Sequence, residues 1–274
     1  LTRTDKDEIY KLNLSYTPTE DSLYYATFSQ GFRPGFFNRV SGPAGLGVVI
    51  PEGFVQDVLD NYEIGWKLSF MDRRLQFNGA LYYMEWDDLQ QTFANFQVSA
   101  FAFMTNTADA EITGFEGDLA FAMTESLTLT GAFSWLNAEL ANDFAPPGLG
   151  ELVVAAEGTE LPFAPEFSGN VTLRYERPIS GDIMGYLQGA AFYTGEQTNA
   201  LTGVGELQPV ETMDSYTLLN AAVGVFAGPW RVELFASNLT DERAELFINN
   251  WDFNRRITTN RPRTIGARIL YDFE

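Results

Sequence analysis

Cysteine and histidine are both absent from the 274 residues. Their absence removes thiol nucleophiles, disulfide staples, histidine-based triads, haem with a histidine ligand and the usual zinc sites. A cysteine-free chain suits export into an oxidising compartment, where stray thiols mispair. Basic residues are scarce as well, 17 Lys and Arg against 37 Asp and Glu, for a net charge of −20. Binding a phosphate backbone demands concentrated cations, so no nucleic-acid partner is expected, and the field of the chain favours cations. No apolar run approaches the roughly 20 residues of a transmembrane helix. The opening Leu1-Thr2-Arg3-Thr4-Asp5 has neither the basic nor the apolar region of a signal peptide. Either a leader has been removed or the chain starts within a longer protein.

What is present is aromatic and evenly dispersed. Hydrophobic residues make up 45% of the chain, with 23 Phe, 12 Tyr and 5 Trp, and they alternate with polar ones. Leu127, Leu129, Phe133 and Trp135 share one strand face against Thr128, Thr130 and Ser134. Phe167, Gly169, Val171, Leu173 and Tyr175 likewise oppose Ser168, Asn170, Thr172, Arg174 and Glu176. A period of two with one oily and one charged face is how a barrel wall meets lipid outside and a polar lumen inside. The pattern predicts an all-β antiparallel transmembrane barrel segment of about eleven strands, near 8–17, 22–32, 59–70, 74–90, 98–121, 126–140, 163–177, 183–197, 214–227, 230–239 and 261–273. Short turns alternate with long connections at about 33–58, 141–162, 198–213 and 240–260, with an irregular stretch near 91–110. Single-chain bacterial barrels have even strand counts, so an odd count marks part of a larger barrel.

Four stretches resemble the TonB-dependent outer-membrane receptor family. Ser22 to Asn38 contains Tyr25-Ala26-Thr27-Phe28-Ser29-Gln30-Gly31-Phe32-Arg33-Pro34-Gly35, similar to that family's Y-x-x-x-S-x-G-F-[RK]-P-G strand and loop. Tyr62-Glu63-Ile64-Gly65-Trp66-Lys67 is similar to its Y-E-x-G-x-K strand, Gly114-Phe115-Glu116 to its G-x-E element, and Asn238-Leu239-Thr240-Asp241 to its N-L-x-D turn. Their order matches the second half of the barrel domain. The alternation Ile265, Ala267, Ile269, Tyr271, Phe273 resembles the terminal signal read by the outer-membrane assembly machinery, with Glu274 a departure after the aromatic. The resemblance implies that residues 1–274 are the C-terminal part of a plugged barrel of about twenty-two strands, with the plug domain and earlier strands outside this chain. It further implies the outer membrane of a Gram-negative bacterium, contact with lipid and lipopolysaccharide, and energy from the TonB-ExbB-ExbD complex through the absent plug.

No enzyme is expected. Only paired carboxylates survive the composition, and Asp87-Asp88, Glu157/Glu160 and Glu111/Glu116 have no nucleophile, base and orienter around them. Gly45-Leu46-Gly47 lacks the lysine of a phosphate loop. The acidic residues Asp57, Asp60, Glu206, Glu211 and Asp214 do not follow a calcium-loop spacing, so no metal site or cofactor is expected. Two long connections mix aromatics, amides and guanidinium groups that could grip an anionic small-molecule or glycan ligand, such as a ferric siderophore or an acidic glycan: Phe32, Arg33, Phe36, Phe37, Asn38 and Arg39 in one, and Phe247, Asn249, Asn250, Trp251, Phe253, Asn254, Arg255 and Arg256 in the other. The competing reading is that Arg33 and Arg255 pair with nearby acidic loops or with lipopolysaccharide phosphates, while the aromatics pack the loop or form the interfacial girdle. Glu63, Lys67, Glu116, Arg174 and Glu176 are read as lumen-lining and architectural, with Glu63 and Lys67 able to pair across the lumen and Gly65 leaving room for a neighbour, and Asn238 and Asp241 as turn formers. Active uptake of an iron chelate leads, with oligosaccharide next. The rivals are a passive porin-like channel and a structural barrel subunit of a surface assembly.

Overall fold

The computed structural model describes residues 8–38, 51–93, 103–145, 153–202, 209–250 and 254–273. Among these, in chain order, the strands are β1 (Lys11–Thr19), β2 (Ser22–Arg33), β3 (Phe36–Phe37), β4 (Gly53–Phe54), β5 (Asp57–Phe70), β6 (Leu75–Asp87), β7 (Gln90–Phe93), β8 (Phe103–Asn106), β9 (Ala110–Ala122) and β10 (Leu127–Leu140). They continue as β11 (Phe167–Ser180), β12 (Ile183–Thr194), β13 (Gln197–Thr198), β14 (Thr212–Met213), β15 (Tyr216–Ala227), β16 (Trp230–Ser237), β17 (Glu245–Asn249), β18 (Arg256–Thr259) and β19 (Thr264–Tyr271). Eleven of them form one sheet in the order β1-β2-β5-β6-β9-β10-β11-β12-β15-β16-β19, every neighbouring pair antiparallel. The rest pair off as four small hairpins, β3-β4, β7-β8, β13-β14 and β17-β18.

The eleven wall strands match the eleven read from periodicity. The difference lies near residue 98. The alternation of Phe101, Phe103 and the residues up to 121 reads as one long strand, but Phe103–Asn106 is β8, paired with β7 outside the wall, and the wall strand starts only at Ala110. Phe103 mimics a lipid-facing residue in sequence yet is buried in an internal cluster. Apolar alternation cannot tell those two destinations apart.

Each side of the sheet keeps one character. Tyr62, Ile64, Leu81, Trp135, Val171, Leu173, Leu187, Val223, Leu234 and Ile269 lie exposed on one face, against one another across the register. So large an apolar surface has no place in water. Side chains of alternate parity, including Glu63, Lys67, Asn78, Glu116, Arg174 and Glu233, make the polar face. The two rims differ equally. Turns at 20–21, 71–74, 123–126, 181–182 and 228–229 close one rim, while the other carries five excursions of some twenty residues or more. Met71, Asp72 and Arg73 all sit at positive φ in one short turn, where Arg73 pairs with Asp21 at 2.9 Å and Arg74 donates to the Ala122 and Met123 carbonyls of the neighbouring turn.

A buried apolar cluster joins the excursions to the wall. Ala110, Ala138 and Leu140, all polar-face positions near the long-connection rim, pack with Leu89, Phe103, Phe144, Ala155, Leu161 and Leu201 from the excursions. At this end of β9 and β10 the polar face is therefore covered by loop side chains.

Candidate functional site

The polar face repeats one device. Tyr25 on β2 lies over Gly65 on β5, where a Cβ would come within 2.4 Å of its ring, and its hydroxyl donates to Glu63 at 2.7 Å. Tyr82 on β6 lies in the same way over Gly114 on β9. Tyr186 on β12 lies over Gly224 on β15 and donates to Glu233 on β16. In each pair the glycine leaves the cross-strand space that the ring fills, which pins register and shields the bare backbone. Glu63 thus takes a tyrosine hydroxyl and not Lys67, although the sequence places the two acidic and basic groups on one strand face. Lys67 instead lines a concavity of about 640 Å³ together with Tyr25, Asn78, Glu116, Asp118 and Asn170.

Further along, the polar face carries a charged ladder. Arg174 donates to Glu176 at 2.9 Å and to Gln188 at 3.1 Å, and its guanidinium stacks 3.9 Å over the Tyr186 ring. Glu233 receives the Tyr186 hydroxyl and pairs with Arg268 at 3.2 Å, so the chain of contacts crosses five strands. Charges on such a face are kept by pairing, since an unpaired one pays the full desolvation cost.

At the long-connection rim, Arg33 is held and not free. Its guanidinium forms a two-pronged ion pair with Asp57, which is 1% exposed, and lies 4.9 Å over the Trp86 ring. Asp57 also accepts from the Trp86 indole at 3.0 Å and the Gln90 backbone at 3.2 Å, while the Gln90 amide donates to the Arg33, Pro34 and Val55 carbonyls. Asn38 staples two hairpins: its side chain donates to the Pro51 and Met104 carbonyls and accepts from the Met104 N–H. Phe36 is exposed, Phe37 half-buried and Phe32 exposed, and the first two rings sit 6.1 Å apart.

The second excursion set is laced by Glu211. It accepts from Arg255 at 2.7 Å and from Asn250 at 3.2 Å, and Glu245 lies 3.8 Å from the same guanidinium. Asn254 and Arg256 are exposed at the tip. Asn238 and Asp241 both adopt positive φ; Asn238 donates to the Glu242 and Arg261 carbonyls and accepts from the Glu242 N–H. The Arg263 backbone N–H, donating to Asp241 at 2.8 Å, holds that carboxyl below its ordinary range. Arg39, Trp251, Phe253 and Glu274 lie outside the described residues. At the opposite rim Tyr271 packs edge-on against Trp230 at 4.7 Å, and Phe273, 90% exposed, against Tyr271 at 4.9 Å.

Sequence reasoning missed Asp57 as the partner of Arg33, and Trp86 and Gln90 as its supports. In sequence Asp57 is one loop carboxylate among many. Phe163 stands at positive φ between two prolines.

The family description "TonB dependent receptor-like, beta-barrel" matches residues 2–239. The chain belongs to the TonB-dependent receptor β-barrel family. It is 26% identical over 279 residues to the metal-pseudopaline receptor CntO of Pseudomonas aeruginosa (strain UCBPP-PA14), covering 99% of this chain and 34% of that relative. The wall superposes on the ferric yersiniabactin uptake receptor FyuA from Yersinia pestis with a TM-score of 0.73 at 20% identity, over 96% of this chain and 37% of that one. For the siderophore receptor PiuA from Acinetobacter baumannii the TM-score is 0.68 at 17% identity, over 96% and 35%. This chain spans about a third of the length of these receptors. Its apolar face is the lipid-facing side of an outer-membrane wall in a Gram-negative bacterium, its polar face looks into the lumen, and the family and fold are those of receptors and transporters.

Proposed function

We propose that this chain is the C-terminal part of the barrel wall of a TonB-dependent importer that takes up a scarce nutrient, an iron chelate first and an oligosaccharide second. The observation that carries the reading is that a metal-chelate receptor aligns with 99% of the chain. β1 and β19 run in the same direction as the first and last of eleven alternating strands, so antiparallel closure needs an odd number of further strands. Those strands and a plug complete the receptor from elsewhere in the protein, and the plug passes work from TonB-ExbB-ExbD. Phe32, Phe36, Phe37, Asn38 and Arg39 on one side and Trp251, Asn254, Arg255 and Arg256 on the other form the capture rim, with Arg33 setting its geometry. Tyr271 and Phe273 present the aromatic end to the assembly machinery, and the rim above the lipid face meets lipopolysaccharide.

The test is uptake of radioactive iron from defined chelates by cells that carry or lack the whole receptor, with and without an intact TonB system. Chelate-dependent uptake that needs both supports the reading. Uptake indifferent to TonB would reassign the barrel to passive diffusion.

A further inference from the structure

We infer that the outward face of β2, β5, β6 and β9, near the long-connection rim, holds an outer-leaflet glycolipid whose head carries free amino groups. An acyl chain lies in an apolar groove, and the ammonium groups meet a row of carboxylates above it. The inference needs only the outer-membrane wall and stands apart from the chelate-import reading.

A groove of about 560 Å³ opens on the lipid face, walled by Leu12, Phe28, Tyr62, Ile64, Leu81 and Tyr83. Its upper edge is a single register row, Leu12, Phe28, Tyr62, Tyr83 and Thr113 on five neighbouring wall strands. The Phe28 and Tyr62 rings lie 5.1 Å apart and those of Tyr62 and Tyr83 6.3 Å apart, so the edge is an unbroken aromatic ledge of the kind that marks the membrane interface. Below that ledge the wall is met by acyl chains, and the groove is continuous with it.

Two residues higher on each strand, on the same face, aromatic side chains give way to acids. Asp60 lies opposite Glu85, Glu85 opposite Glu111, Glu111 opposite Glu139, and Glu139 opposite Glu160. Two strand residues rise about 7 Å, which carries the row from the aromatic ledge into the head-group layer. Side chains directly opposite one another stand about 5 Å apart, where like charges repel. Among the described residues none of the five pairs with a lysine or arginine. One carboxylate oxygen of Asp60 is buried without a hydrogen-bond partner, and Glu85 receives the Tyr83 hydroxyl at a long 3.4 Å. The row is short of both donors and positive charge.

The shape of the row selects the head group. Bare lipopolysaccharide phosphates are repelled by it. A metal ion needs oxygens that converge on one point, and among the described residues no three acidic side chains do so. A head with spaced ammonium groups meets a spread row one carboxylate at a time, each ammonium bringing three donors to groups that only accept.

The experiment is native mass spectrometry of the full-length receptor in detergent, offered equal amounts of lipid A and of the same lipid A carrying an amino sugar on its phosphates, without magnesium. The amine form is retained over the plain form by roughly three- to tenfold. The triple variant Asp60→Asn, Glu85→Gln, Glu111→Gln relieves the repulsion within the row, so it folds, and it brings the ratio to about one. Asp118→Asn on the lumen face leaves the ratio unchanged. Ala26→Trp fills the groove and lowers retention of both forms. Equal retention by the unaltered receptor, a preference that survives the triple variant, retention of both forms that survives Ala26→Trp, or a plain form that overtakes the amine form once millimolar magnesium is added overturns the inference. Each of these leaves TonB-dependent uptake, and with it the importer reading, untouched.

Discussion

Replacing Asp57 should loosen the outer rim more than any other single polar change. Its carboxylate is 1% exposed and takes hydrogen bonds from the Arg33 guanidinium, the Arg33 N–H at 3.1 Å, the Trp86 indole and the Gln90 N–H. Asp57→Ala leaves three neutral donors without that partner at about 1 kcal/mol or more each, and it also removes the charge that holds Arg33. Removing one partner of a fully buried pair costs about 3–5 kcal/mol, but Arg33 is 48% exposed and recovers water, which discounts its share. The expected loss is about 3 kcal/mol for Asp57→Ala and about 2 kcal/mol for Asp57→Asn, whose amide oxygen keeps some of the bonds. The damage is local, because Gln90 opens the β7–β8 hairpin while the wall register below does not depend on it.

Amide hydrogen exchange on the full-length receptor in detergent or nanodiscs reads this directly. Protection in residues 88–93 and 103–109 should fall by roughly a hundredfold in Asp57→Ala, while amides of β10 and β11 keep theirs. Arg33→Gln should give a similar loss, since it strands a buried carboxylate, and the double variant should lose less than the sum. An Asp57→Ala receptor with unchanged exchange at these residues would refute the reasoning.

Three other perturbations test the wall. Leu173→Arg on the lipid face should cost about 2–4 kcal/mol near the membrane centre, against under about 1 kcal/mol for Asn170→Arg on the lumen face; urea unfolding in lipid vesicles compares them, and equal costs would mean the faces are misassigned. Gly65→Ala should displace the Tyr25 ring and break its bond to Glu63, at about 1–2 kcal/mol; Tyr25→Ser should remove most of that penalty in the double variant, and simple additivity would count against the ring-over-glycine device. Glu111 pairs directly with Glu85 on one side and Glu139 on the other, so Glu111→Gln should stabilise the rim by about 0.2–1 kcal/mol at low salt. Thermal unfolding at two ionic strengths checks it, the gain shrinking as salt screens the row.

The wall was legible because its signal is local. Leu127 to Trp135 and Phe167 to Tyr175 carry the period of two within a single strand, and the assigned faces are those of the register. The start of β9 was misread because Phe103 satisfies the same alternation while facing a loop core. Hairpins such as β13-β14, two residues on each side, are too short to have a period at all. At the site, Asn238 and Asp241 were readable as turn formers since part of their bonding is local: Glu242, four residues on, both receives from and donates to the Asn238 side chain, the Asp241 N–H donates to the Asn238 carbonyl, and Arg243 pairs with Asp241. Tyr25 with Glu63 and Arg33 with Asp57 are 38 and 24 residues apart, and no pattern within either strand announces the pairing. Register has to be known first.

The long-connection rim is tied to the wall at several points and free at its outer surface. The excursions are fixed at their bases by the internal cluster around Leu140 and Phe144, by Asp57 beneath Arg33, and by Asn38 between two hairpins. Their outer surfaces, Phe36, Phe163, Phe247 and Asn254, stay exposed. Rearranging an exposed ring costs a rotamer change, whereas moving an excursion base means opening the cluster or stranding the Asp57 carboxylate, a penalty of several kcal/mol. If the rim captures a ligand as proposed, side chains and hairpin tips are the parts of it that can rearrange at small cost, on a frame whose bases are fixed.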